Sequence, residues 1–163
     1  MVFIPFGIKL LVRFAEKKMN KIIPIGSDHA GFELKRQVID WLVEQGFEPH
    51  DKGCFSAESV DYPDFGNAVA KAVESGEAEL GIVICGSGNG INMSVNKHKT
   101  IRGALCWEVE IAALARQHNN ANILALPARF ISEDKALEII STFLNTEFEG
   151  GRHQKRIEKI TVF

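Results

Sequence analysis

Cys85 is followed directly by Gly86, Ser87, Gly88, Asn89 and Gly90. Three glycines in those five residues let the backbone bring several N–H groups to one point, which is a way to hold an anion. A helix starting after such a loop adds the pull of its dipole. Nucleotide templates do not fit. A dinucleotide fingerprint needs a further glycine at position 91, where Ile91 stands, and a P-loop needs Gly-Lys-Ser/Thr. A cysteine phosphatase loop would need arginine at the same position. The segment therefore suits a small anion or a developing oxyanion. A thiol at a helix N-terminus has its pKa lowered from about 8.5, so its thiolate becomes accessible at neutral pH. The plainer alternative is a small core residue at a strand end.

Other candidates are weaker taken singly. Asp28 could serve only as a helix N-cap, and His29 as a satisfied loop histidine. His118 and Asn119 close a helix, where a histidine can simply meet the dipole. Arg152 and Arg156 stand four apart, on one helix face. They form either a solvated basic face or a phosphate clamp, a task that guanidinium groups suit. His50, His98 and His153 show no metal-ligand spacing, and Cys54 and Cys106 have no supporting context; none is assigned a role.

The elements that must position these residues follow from hydrophobic periodicity. Strands are predicted at 22–25, 47–51, 80–85, 102–106 and 122–126. Residues 80–85 (LGIVIC) are apolar almost throughout, as a strand buried on both faces requires. Helices are predicted at 31–45 with Gly46 after it, 63–75 opened by Pro63, from the glycine loop to 96, 108–116, from the Ser132 cap to 144, and 151–161. Strands alternating with helices imply right-handed parallel βαβ units. The expected fold is a three-layer α/β/α domain with a Rossmann-like five-stranded parallel sheet. Ligands of such sheets bind beyond the carboxyl ends of the strands. Residues 26–31, 85–90, 116–120 and 127–129 are all expected to gather there.

A chain of 163 residues suits one domain with a sufficient core. Its net charge of −2 points away from a nucleic-acid surface. Three cysteines without a CxxC pair suit free thiols in a reducing cytoplasm rather than a disulfide framework or a zinc ribbon. Residues 1–20 read as an N-terminal extension before a single domain at 21–163. Within it, 1–18 are too short an apolar run to span a membrane and lack a secretory cleavage site, and Met19 is a plausible start.

Taken together, five segments are specific. They are Gly-Ser-Asp-His-Ala-Gly-Phe at 26–32, Asp-Tyr-Pro at 61–63, Ile-Cys-Gly-Ser-Gly-Asn-Gly-Ile at 84–91, Arg-Gln-His-Asn at 116–119 and Gly-Gly-Arg-His-Gln-Lys-Arg at 150–156. In this order they resemble the ribose-5-phosphate isomerase B family, which includes galactose-6-phosphate isomerase subunits and members active on allose 6-phosphate. The resemblance runs from about residue 21 to the C-terminus. It implies a metal-free aldose–ketose isomerase without a cofactor, a homodimer or dimer of dimers with shared active sites, and strand order 2-1-3-5-4.

By motif, the resemblance makes Cys85 the base and His118, with Asp28, the ring-opening group. It assigns Gly86, Ser87, Gly88, Asn89 and Gly90 to the enediolate oxygens, and Asp28, His29, Tyr62 and Asn119 to the substrate. Arg129, Arg152 and Arg156 become phosphate ligands. His118, Asn119 and Arg129 are expected from the partner subunit. Ribose 5-phosphate is the default substrate, with six-carbon sugar phosphates as the alternative. A non-catalytic sugar-phosphate sensor would bind without turnover, and a cysteine hydrolase would release inorganic phosphate.

Overall fold

The computed structural model describes residues 21–160, so the expectations for the N-terminal extension lie outside the described residues. Five strands form one parallel sheet: β1 (Ile22–Ser27), β2 (Glu48–Asp51), β3 (Gly81–Cys85), β4 (Gly103–Leu105) and β5 (Ile123–Pro127). Their order is β2-β1-β3-β5-β4, the one that the resemblance implies. A 3₁₀ turn at His29–Gly31 leads into α1 (Phe32–Glu44). The other helices are α2 (Tyr62–Glu74), α3 (Asn89–Val95), α4 (Val109–Asn119), α5 (Glu133–Asn145) and α6 (Arg152–Ile157).

The central strands alternate their side chains between two cores, as a period of two requires. Ile82 and Ile84 of β3 and Leu124 and Leu126 of β5 face Leu34, Val38 and Leu42 of α1, Ala112 and Ala115 of α4, and Ile139 and Phe143 of α5. Val83, Cys85, Ile123 and Ala125 face Val69 and Val73 of α2 and Ile91 and Val95 of α3. All five residues of β3 and of β5 are buried. Burial on both faces is what drives this apolar pair to the centre, at about 25 cal/mol per Å² of apolar surface removed from water. The α/β/α layering is as expected, and Cys85 belongs to the α2/α3 side.

Element boundaries differ in three informative places. The first strand continues through Gly26 and Ser27, residues that read as loop. A Cβ on Gly26 would come within 3.0 Å of the Phe65 carbonyl and Val69 Cγ2, so glycine lets α2 lie close against the strand. The fourth helix runs beyond 116 to Asn119 and stops where Asn120 turns left-handed at φ 45°. The last helix ends at Ile157 rather than 161; Lys159 and Ile160 reach back only three residues for their hydrogen bonds.

One charge is fully buried. Lys35 on α1 donates to the Asp51 carboxylate and, at 2.7 Å, to the Cys54 carbonyl. Asp51 Oδ1 also accepts from Gly53 N–H at 2.9 Å. The buried ammonium thus ties down the start of the 52–61 connection, whose far end carries Tyr62 into the site.

Candidate active site

At the carboxyl end of β1, Asp28 is nearly buried, and its Oδ1 accepts from Ala30 N–H at 3.0 Å and Gly31 N–H at 3.1 Å. It caps the 3₁₀ turn rather than α1 itself. Its own N–H donates to the Ile84 carbonyl at 3.2 Å, which ties this turn to β3. The fit is close: a Cβ on Gly31 would sit 2.7 Å from that carbonyl oxygen. With Oδ1 occupied, Oδ2 is the oxygen available to a substrate. His29 Nδ1 accepts from Val60 N–H at 3.3 Å, so a neutral His29 carries its proton on Nε2.

At the end of β3 Cys85 is buried, 4% exposed as a residue, and the glycine loop begins at once. Gly88 has φ +75°, and a Cβ there would lie 2.4 Å from Leu105 Cδ1. Only glycine meets both demands. A Cβ on Gly90 would fall 2.5 Å from the Tyr62 ring, so the phenol lies flat over the loop. Asn89 N–H donates to Ser87 Oγ at 3.3 Å, and both residues are exposed. Helix α3 has seven residues, so its dipole is small and the loop's N–H groups carry the attraction for an anion.

The turn after β5 hooks onto the same loop. Ala128 N–H donates to the Cys85 carbonyl at 2.9 Å, and Arg129 N–H to the Gly86 carbonyl at 3.0 Å. Arg129 Cδ and Nε lie 3.4 Å from where a Gly86 Cβ would be. Arg129 therefore stands beside the loop of its own chain. A cavity of about 530 Å³ opens here between Ser87, Asn89, Leu105, Trp107, Pro127 and Phe130. The larger cleft, about 1370 Å³, lies at the opposite edge near Arg102 and Arg116 and holds none of the expected site residues.

His118 and Asn119 are not at the Cys85 end. The helix after a parallel strand runs back antiparallel to it, so the C-terminus of α4 reaches the amino ends of the strands. Arg102, just before β4, donates through Nε to the Asn119 and Asn120 carbonyls at 3.1 and 3.0 Å. From Val109 to His118 the helix descends about 14 Å at 1.5 Å per residue. The expected gathering of all reactive segments at one sheet end is thereby corrected.

The distant group has its own cluster. The His118 ring stacks on His153 with centroids 4.3 Å apart and planes 9° apart. Glu149 Oε2 lies 3.9 Å from His118 Nε2 and 3.6 Å from His153 Nε2. Arg152 and Arg156 extend from α6 beside them, both exposed. Sequence reasoning gives Glu149 and His153 no role. A signal exists all the same: Glu149 and His153 stand four apart and flank Gly150-Gly151, where φ of +68° and +56° turn the chain.

One chain thus carries two sets. Asp28, His29, Tyr62, residues 85–90 and Arg129 form the first; His118, Asn119, Arg152 and Arg156 form the second. A carboxylate, a thiol and a cradle of N–H donors on the first set are the equipment of proton abstraction beside a carbonyl.

The comparisons agree with that class. The ribose/galactose isomerase family pattern matches residues 23–160. Ribose-5-phosphate isomerase B of Escherichia coli K12 is 46% identical over 141 residues, covering 86% of this chain and 95% of the relative. Among solved structures, ribose-5-phosphate isomerase B of Thermotoga maritima superposes with a TM-score of 0.87 at 48% identity, over 90% of this chain and 100% of that one. The Mycoplasma genitalium enzyme with bound ribulose-5-phosphate superposes with a TM-score of 0.82 at 44% identity, over 86% and 93%. The fold and the first set define a sugar isomerase. The chain belongs to the ribose/galactose isomerase family.

Proposed function

We propose that this protein interconverts ribose 5-phosphate and ribulose 5-phosphate through an enediolate, without a metal, with Cys85 as the base. The carrying observation is Cys85 at the end of β3, at the mouth of a loop that glycine alone can form and beside the Asp28 turn. The relative that holds ribulose-5-phosphate supports the five-carbon substrate.

Ring opening comes first. The C1–O4 bond breaks, the ring oxygen takes a proton from His118, and the anomeric hydroxyl gives its proton to Asp28. Cys85 thiolate then removes the proton from C2 of the open aldose, and the electron pair moves onto the carbonyl oxygen. N–H groups of residues 86–90 stabilise that oxyanion, and stabilisation of this kind often contributes most to the rate of such reactions. Cys85 returns the proton to C1, the C2 hydroxyl passes its proton to the O1 oxyanion, and the carbonyl re-forms at C2. Tyr62 and Asn119 align the chain of hydroxyls. Arg129, Arg152 and Arg156, with His29 nearby, hold the phosphate, whose binding energy orients the reacting end.

His118 and Cys85 lie at opposite ends of one sheet, so this mechanism requires two copies. A twofold dimer brings the first set of each subunit to the second set of the other and makes two equal sites. A homodimer, or a dimer of such dimers, is therefore the working unit. Three free thiols support a cytoplasmic setting. Among the described residues no helix is long and apolar enough to cross a membrane.

The test is to incubate chelator-treated protein with ribose 5-phosphate and follow ribulose 5-phosphate, with Cys85→Ala alongside. Turnover that the variant loses supports the reading. Full turnover in the variant contradicts the base, and turnover confined to six-carbon sugar phosphates contradicts the substrate.

A further inference from the structure

We propose that Glu149 is a positioning residue for His118: its carboxylate orients the imidazole and balances the charge carried when that ring hands a proton to the sugar's ring oxygen. The inference rests on the ring-opening role of His118 given above.

The geometry of three side chains carries it. His118 and His153 turn the same ring edge, Nε2, toward one oxygen of Glu149, at 3.9 and 3.6 Å. The rings are parallel within 9°, so His153 fixes the plane in which His118 lies. Glu149 is itself anchored to the helix that bears His118, since its N–H donates to the Gln117 carbonyl at 3.0 Å. The Glu149 main chain is therefore tied to α4 one residue from His118, and Nδ1 of His118 is the ring nitrogen turned away from the carboxylate.

A shared metal ion is the competing reading, because the three ligand-type atoms lie within 4.8 Å of one another. Imidazole lone pairs lie in the ring plane, and two stacked, parallel rings cannot converge theirs on one ion. Proton holding fits the arrangement better. Two stacked imidazolium rings would repel each other. Burial, then His118, Arg152 and Arg156, push His153 below its usual range, against the pull of Glu149. His153 therefore holds a proton less readily than a free imidazole and serves as the platform on which His118 stacks. In the ring-opening step the proton passes from His118 to O4 as the C1–O4 bond breaks, and His118 regains a proton from solvent.

The experiment separates ring opening from isomerisation. Ribose 5-phosphate is a furanose that must open. Ribulose 5-phosphate cannot close a ring, because its O5 carries the phosphate. Two rates are measured on wild type, Glu149→Gln and Glu149→Asp: ribulose 5-phosphate formation from ribose 5-phosphate, and exchange of C1 deuterium of ribulose 5-phosphate with solvent. Glu149→Gln keeps the size and removes the charge. The expected result is a fall of about tenfold or more in the first rate, with the second within about twofold of wild type and partial recovery in Glu149→Asp. Equal loss of both rates would mark a merely structural role and overturn the proposal, as would no loss in either. A wild type with neither rate would overturn the isomerase reading instead.

Discussion

The two ends of the sheet hold their functional groups in different ways. At the carboxyl end the backbone does the holding: Asp28 accepts two turn N–H groups, Arg129 N–H pairs with Gly86, and glycine lets Tyr62 lie on the loop. At the amino end side chains hold one another: His118 stacks on His153, and Glu149 faces the Nε2 edge of both rings. The first arrangement follows from strand ends and from hydrogen bonds of the main chain. The second depends on two helix ends meeting and on charges that can change. A preformed cradle suits oxyanion stabilisation, whereas an adjustable pair of imidazoles suits proton delivery.

The contrast can be broken most severely at the carboxyl end. Cys85→Ala should lower turnover by about 10³-fold with little change in KM, because the proposed mechanism has Cys85 act in the chemical step. The amino end should answer differently. Arg152→Ala with Arg156→Ala should raise KM for ribose 5-phosphate by about 10²-fold and lower turnover less, since the proposed mechanism gives both guanidinium groups to the phosphate. Steady-state kinetics of these variants beside wild type at one pH decides both.

A smaller effect sharpens the claim that the cradle is built by close approach. Gly90→Ala puts a methyl group where the Tyr62 ring lies, so the ring must shift. KM should rise by about tenfold, while thermal unfolding moves by no more than a few degrees. A large loss of stability with unchanged KM would mean that the phenol packs there for the fold alone.

The smallest effect belongs to neither end. His50 on the edge strand contacts Glu77 at 2.7 Å and Glu48 at 3.0 Å, and these bonds raise its pKa above the usual 6.5, Glu77 contributing most. The folded state thus holds this proton more tightly than the unfolded chain. The stabilisation is fully present below 6.5 and is lost as pH rises through the raised value. In His50→Asn the melting temperature should fall slightly at pH 5.5 and not at pH 9, with activity unchanged. The His50–Glu77 pair is 33% exposed on both sides, so added salt should shrink the difference.

How much of this is legible in the sequence follows the same division. The apolar run at 80–85 and the glycines after it announce β3 and the cradle, because burial on both faces and left-handed turns leave composition signals. Gly26 and Ser27 hide the end of β1, since their fit depends on how closely α2 packs. Read from the sequence, His118 falls at the wrong end of the sheet. Its motif is plain, but its position follows from α4 running back against the strands, a fact of topology rather than of residue type. Glu149 and His153 are invisible as a pair because their meeting with His118 joins α4 and α6 across about thirty residues of chain.

The central claim is that a working site needs the Cys85 end of one chain and the His118 end of another. It is tested most directly by mixing inactive Cys85→Ala with inactive His118→Ala, exchanging subunits, and assaying ribose 5-phosphate isomerisation. Random pairing makes half of the dimers mixed, each with one intact site, so activity should return to about a quarter of wild type. A mixture that stays as inactive as its parents after proven subunit exchange would contradict the account.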